Sequence, residues 1–160
     1  MKAVNSILVP TDFSTGSKRA LAYAIELADA FGASLHVVHV LEDLFARGGY
    51  MEMSAPPGDY LEVLERQARV ELEAQLTPEQ KARYSATLVL CTGRPASEVL
   101  GYLDEHREID LVVMATAGRG GVARLIMGSV ADRVVRTARC PVLTIHPHDH
   151  VETVAGDRAA

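Results

Sequence analysis

Residues 111–142 read LVVMATAGRGGVARLIMGSVADRVVRTARCPV, and the reading of this stretch decides the fold. Leu111, Val112, Val113 and Met114 form an apolar run too short for a helix and bounded by turn signals, which predicts a buried strand over 110–115. A glycine-bearing loop follows, from Ala115 to Gly121. Behind Gly128 and Ser129 a helical pattern sets in, with Val130, Val134, Val135 and Ala138 on one face, so a helix is expected over 129–138. Ser129 is the expected N-cap, with Asp132 three residues on as a weak version of the capping box. A strand, a glycine loop and a helix start in succession make an anion site. The helix start carries about half a positive charge, and glycines let the backbone close around a phosphate.

Outward from that stretch, strands and helices alternate. Residues 5–10 read as the first strand. Gly16 to Phe31 is helical, with Leu21, Ala24, Ile25 and Ala28 at the i, i+3, i+4, i+7 spacing, and Gly32 stops it. Ser34 to Leu41, SLHVVHVL, is rich in β-branched residues and reads as a strand. The segment 44–59 holds Gly48-Gly49 and Pro56-Pro57-Gly58, a loop composition. Residues 59–76 return to helix, with Leu61, Leu64, Ala68, Leu72 and Leu76 on one stripe. Ala86 to Cys91 reads as the third strand, Pro95 opens a helix that runs to about His106, and 142–146 is a last strand. Five strands joined by helical crossovers give a single-domain α/β fold, a five-stranded parallel sheet with helices on both faces. Such sheets bind ligands at the carboxyl ends of their strands, where the strand order reverses.

Composition sets bounds on the function. The chain of 160 residues is 48% hydrophobic and 23% charged, which excludes wholesale disorder. One domain is expected over 1–147, followed by a disordered tail over 148–160. Net charge is −5 and no basic run exceeds Lys18-Arg19, which argues against nucleic acid as a partner. No apolar run approaches the ~20 residues of a membrane span. The N-terminus does not read as a signal peptide, so the cytoplasm is the expected compartment. Cys91 and Cys140 stand without metal-site spacing and read as buried free thiols. Among the six histidines, His146, His148 and His150 recur at spacing two, and His36 and His39 lie on opposite faces of one strand. No further ligand joins them, so no metal site is assigned, and His39 reads as a buried, hydrogen-bonded strand residue. No nucleophile elbow, Cys–His pair or Walker lysine is present, so no catalytic residue is assigned.

Three segments in order carry a family resemblance. The spacing Ala115-x2-Gly118-x9-Gly128-Ser129 resembles the G-x2-G-x9-G-[S/T] phosphate motif of ATP-binding universal stress proteins. The start, Ile7-Leu8-Val9-Pro10-Thr11-Asp12-Phe13-Ser14, is similar to that family's first strand and turn, and Ala138-Arg139-Cys140-Pro141-Val142-Leu143 to its end. The resemblance covers residues 3 to 147, with departures at Ala115, where the motif has glycine, and at Ala117, where many members carry histidine.

The resemblance implies an adenine nucleotide α-hydrolase-like sheet of order 3-2-1-4-5, with the switch point between strands one and four. The chain carries neither the S-G-G-x-D-S nor the H-x-G-H signature of the related enzymes. Gly118 and Gly128 would let backbone amides approach phosphate oxygens, Ser129 would give its hydroxyl and Val130 a helix-terminal N–H, while Arg119, and less so Arg124, could neutralise charge. Asp12 would accept from ribose hydroxyls, with Pro10 and Thr11 as the wall; the alternative is a helix cap shared with Ser14. Val40 matches a position whose backbone recognises adenine, and Met114 either flanks the base or is core. Ala115 opens the loop. The implied ligand is ATP, alone or with Mg²⁺, and the implied role is a nucleotide-dependent stress-response switch or binding module. A homodimer through strand 142–146 and a protein partner are implied as well. The rivals are a dimeric interaction protein of the same family that binds no nucleotide, and a slow ATPase or nucleotidyl-transfer enzyme.

Overall fold

A sheet buried on both faces demands continuous apolar strands, and Ile7, Leu8 and Val9 meet that demand by being fully buried in succession. The computed structural model describes residues 3–42, 59–116 and 127–146. Its strands are β1 (Ser6–Thr11), β2 (Ser34–Glu42), β3 (Thr87–Gly93), β4 (Leu111–Ala115) and β5 (Val142–Ile145). Its helices are α1 (Thr15–Phe31), α2 (Tyr60–Glu73), α3 (Pro78–Arg83), α4 (Pro95–Glu105) and α5 (Ser129–Thr137). The sheet order is β3-β2-β1-β4-β5, with every recorded pairing parallel. The expected order is the observed one. The loop expected over 44–59 and the tail over 148–160 lie almost wholly outside the described residues.

Two apolar layers sandwich the sheet. Ile7, Val9, Leu35, Val37 and Val113 point to the α1 side, where Ala20, Leu21, Ala24 and Ala28 of α1 and Leu72 of α2 meet them. Leu8, Val38, Val112 and Met114 point the other way, onto Val99 and Leu103 of α4 and Ala131 and Val134 of α5. Ser14 caps α1 by accepting from the Ser17 N–H at 3.2 Å, and Gly32 ends it in the left-handed region at φ 67°.

The helix expected over 59–76 is α2, which stops at Glu73, and a second short helix, α3, follows beyond that span. Chain direction changes at Ala74–Thr77, because Thr77 and Gln80 form a full capping box and Pro78 occupies the first turn of α3. Leu72 and Leu76 are both buried, but through packing on the core and not as one helical stripe, while Leu61 stays exposed.

The amino-terminal end of the sheet holds a polar cluster. The Arg139 guanidinium donates to the carbonyls of Leu103 (2.7 and 2.9 Å), His106 (2.6 Å) and Ile109 (3.4 Å), which satisfies the last turn of α4. His36 Nδ1 lies 2.8 Å from the Tyr102 hydroxyl, the Tyr102 and His106 rings stack at 4.0 Å, and His106 Nδ1 pairs with Glu108 at 3.0 Å.

Burial holds the His36 imidazole below the ordinary value of 6.5; His106 pushes the same way and Glu108 opposes. A histidine that protonates less readily in the folded state gives stability that is full above pH 6.5. That stability is lost as pH falls, because the unfolded chain takes up its proton first. Urea midpoints measured from about pH 7.5 down to about pH 5 should therefore fall further for wild type than for His36→Gln. Parallel curves for the two proteins would show that His36 carries none of the acid sensitivity.

Candidate functional site

The carboxyl ends of β1 and β4 frame the candidate site. The β1–β2 ladder runs as far as Thr11 opposite His39, and β2 continues to Glu42 on β3. On the other side, the recorded β1–β4 register closes at Leu8 opposite Val112, while β4 stays paired with β5 up to Ala115. Pro10 has no N–H to offer a ladder. The chain thus leaves the sheet at Thr11, and the switch point lies between two strand ends that are no longer laced together.

The turn after β1 is tightly constrained. Phe13 takes φ 64°, a left-handed conformation that costs a bulky residue about 1–3 kcal/mol. Three contacts hold it there. Its N–H donates to Thr11 Oγ1 at 3.1 Å, its ring is buried, and that ring stacks on His39 with centroids 4.1 Å apart. His39 Nδ1 lies 2.8 Å from the Thr11 carbonyl oxygen, and since a carbonyl only accepts, Nδ1 carries the hydrogen. Asp12, between Thr11 and Phe13 in sequence, is half-buried, and its Oδ1 accepts from the Ser14 N–H at 3.1 Å and the Ser14 hydroxyl at 2.5 Å. Ser14 is therefore the helix cap, and Asp12 orients the cap without being one. Buried His39 agrees with the sequence reading; its link to Thr11 and Phe13, the residues flanking Asp12, is a contact that the sequence reading missed. The signal available was the strand period, which puts His39 on the α1 face beside the β1 exit.

Opposite that turn, Thr116 donates its N–H to the Ile145 carbonyl at 3.0 Å, and its own carbonyl accepts from the Gly128 N–H at 2.7 Å. This bond closes the base of the glycine loop. Residues 117–126, with Gly118, Arg119 and Arg124, lie outside the described residues. Ala115, at the first position of the glycine motif, is ordinary strand backbone paired with Ile145, and alanine sits there without strain. Met114 is a buried core methionine on the α4–α5 side. Val40 is half-buried, one residue beyond the last β1 partner, so no strand covers the β1 edge of β2 from there on.

The start of α5 corrects two assignments. Gly128 is the N-cap (φ −61°, ψ 153°) and its carbonyl accepts the first intrahelical bond, from Asp132 N–H at 2.9 Å. Ser129 is the first helical residue; it caps nothing, and its side chain is exposed. Asp132 pairs instead with Arg136 at 2.9 Å, so no capping box forms. The Gly128 amide is spent on Thr116, which removes it from the set of phosphate donors. The N–H groups of Ser129, Val130 and Ala131 have no intrahelical acceptor and stand at the positive end of the helix. What the crevice can do follows from its two walls: donors for an anion on one side and a fixed carboxylate for hydroxyl groups on the other.

Among the described residues no group of three His, Cys, Asp or Glu converges as metal ligands, and His148 and His150 lie outside them. Cys91 and Cys140 form no disulfide and are half-buried; burial, Glu98 and Glu105 push the Cys91 thiol up, away from the reactive thiolate.

Fold and site together define a parallel α/β protein whose last helix starts at the switch point with first-turn N–H groups that have no intrahelical acceptor. The sequence matches the profile of the Universal stress protein family over residues 4–146. A universal stress protein of Methanocaldococcus jannaschii is 31% identical over 144 residues, covering 87% of this chain and 80% of that protein. The solved structure of a universal stress protein from Lactobacillus plantarum superposes with a TM-score of 0.72 at 25% identity, covering 91% of this chain and 99% of that one. A universal stress protein from Archaeoglobus fulgidus in complex with dAMP shares the fold, with a TM-score of 0.57 at 23% identity and coverage of 90% and 99%. The chain belongs to the universal stress protein family.

Because Ser129 caps nothing, Ser129→Ala should shift unfolding stability by no more than about 0.5 kcal/mol. Ser14→Ala should cost about 1 kcal/mol or more, since that hydroxyl caps α1. Chemical denaturation of both variants checks the contrast, and equal losses would restore Ser129 as a cap.

Proposed function

We propose that this universal stress protein binds ATP, alone or with Mg²⁺, in the crevice between β1 and β4, and works as a nucleotide-dependent stress-response switch or binding module. The observation that carries this reading is the start of α5, where Ser129 is exposed, is not used for capping and opens the turn that carries the N–H groups of Ser129, Val130 and Ala131. An anion is the natural partner of such a helix start. Phosphates would lie there, with Gly118 and Arg119 of the loop adding donors and charge. Ribose hydroxyls would meet Asp12, with Pro10 and Thr11 as wall, and the adenine would meet the Val40 backbone. Gly128 would then serve through its missing side chain: φ −61° suits any residue, so nothing in the local backbone demands glycine. The dAMP complex of the Archaeoglobus relative supports an adenine nucleotide as the ligand class.

A binding module fits the site better than an enzyme. Phosphoryl transfer needs a group that orients the attacking nucleophile. The described carboxylate of the crevice, Asp12, is turned toward Ser14. The rival reading without nucleotide draws on the departures at Ala115 and Ala117; the unstrained strand backbone at Ala115 speaks against the first, and Ala117 lies outside the described residues. The cytoplasm is the proposed compartment; among the described residues no helix is long and apolar enough to cross a membrane.

Titration calorimetry should give a micromolar Kd for ATP, about −8 kcal/mol. Ser129→Ala should lose about ten- to hundred-fold, as expected for a hydrogen bond to a charged group. Phosphate release should stay far below about 1 s⁻¹ in wild type. No heat and no co-purified nucleotide would reject the reading, and turnover near 1 s⁻¹ would replace it with the slow enzyme.

A homodimer through β5 belongs to the same proposal, since β5 is a sheet edge and its residues Val142, Leu143 and Thr144 are only half-buried. Val112 and Thr116 donate to the carbonyls of Pro141 and Ile145, so the alternate position Thr144 turns its backbone away from β4. Thr144→Pro therefore removes an outward donor and spares the internal ladder. Light scattering should show a wild-type dimer and a Thr144→Pro monomer, and a wild-type monomer at micromolar concentration would reject the contact.

A further inference from the structure

One imidazole reaches two residues of the turn that carries Asp12. His39 Nδ1–H donates to the Thr11 carbonyl at 2.8 Å, and its ring stacks on Phe13 with centroids 4.1 Å apart and planes 30° from parallel. Thr11 and Phe13 are the residues immediately before and after Asp12. We propose that His39 is a positioning residue for the nucleoside end of the crevice, holding the Asp12 carboxylate where it accepts from ribose hydroxyls. This inference rests on the nucleotide reading above and deepens it.

The physical case is one of surplus constraint. Thr11 supplies the last β1 residue paired with β2, and beyond it the chain has no ladder to define its direction. Phe13 sits in a left-handed conformation that an unsupported loop would relax. His39 supplies one contact to each of these residues, from a strand that is itself paired on both sides. The Thr11 hydroxyl adds the Phe13 N–H bond, and Ser14 fixes the carboxylate oxygen itself. Asp12 is thus held from before, from after and at its head group. Ordinary core filling at position 39 needs only apolar volume, which phenylalanine or leucine would supply. The present arrangement needs a flat ring and a donor at the Nδ1 position together, which histidine combines. Both the neutral Nδ1–H tautomer and the imidazolium donate there, so the effect does not depend on which of them is present.

The test measures ribose recognition and not stability. Full-length wild type, His39→Phe and His39→Asn are titrated with ATP and with 2′,3′-dideoxy-ATP, which lacks both hydroxyls, and unfolding midpoints are recorded alongside. Wild type should prefer ATP by about ten-fold or more, the fold-change of a hydrogen bond to a carboxylate. His39→Phe keeps the ring and loses the donor; its preference should drop to about three-fold or less while its affinity for dideoxy-ATP stays near wild type. His39→Asn places an amide N–H near the Nδ1 position and should recover part of the preference. A folded His39→Phe with the full preference overturns the proposal, as does a wild type that binds both nucleotides equally. A wild type that binds neither brings down the nucleotide reading and this inference together. Should His39→Phe fail to fold, Phe13→Leu removes the stack while keeping apolar volume, and an undiminished preference in that variant overturns the proposal equally.

Discussion

All five strands point the same way, and from that single constraint the rest follows. Parallel strands deliver every following loop to one edge of the sheet, so the turn after β1 and the start of α5 share that edge although they lie far apart in sequence. The same constraint buries both faces. It explains why Ile7, Leu8 and Val9 are apolar without alternation, and why α1 with α2 must cover one face and α4 with α5 the other. The crevice forms where order reverses, because helices that cover opposite faces leave the β1 and β4 ends uncovered between them.

The two walls of the crevice are built by different physics. On the β1 side the backbone is over-determined, with a strained Phe13 held by stacking, a side-chain acceptor and burial. On the α5 side the determining feature is a helix start whose cap is a glycine, so its first donors are not consumed by a side chain. Capping by Ser129 would have engaged a donor of this first turn. Moving the cap back to Gly128 leaves the serine hydroxyl outside the capping geometry, and the Gly128–Thr116 bond anchors the loop by an amide that precedes the first-turn donors.

The opposite end of the sheet carries structural work. Arg139 ties β5's approach to the end of α4 through three carbonyls, and the His36–Tyr102–His106 cluster fills the space beside it. Acid sensitivity from His36 therefore originates at the end of the sheet away from the crevice, and a stability change there can be told apart from a change in ligand affinity.

Much of this architecture was legible in the residues alone. Strands β1, β2 and β4 announce themselves as short apolar runs, α1 by its period and by Gly32, and α4 by Pro95 at its first turn; the strand order came from the family resemblance, since no single strand states its neighbours. Proximity of Asp12 and Ser129 followed from the topology. Other features depended on packing. The helix expected over 59–76 stops at Glu73, and Thr77 with Pro78 starts a new one, so the core leucine Leu76 is buried from the connection between them and not from the helical stripe. Ser129 read as a cap because serine prefers that place, yet the bond between Thr116 and Gly128 fixes where the helix begins, and that bond spans a loop whose closure no local propensity encodes. His39 likewise read as a buried polar residue. Which carbonyl satisfies it, and hence its hold on the Asp12 turn, was decided only when β1 and β2 came into register, because a side chain's partner across a sheet is set by pairing and not by its own neighbours in sequence.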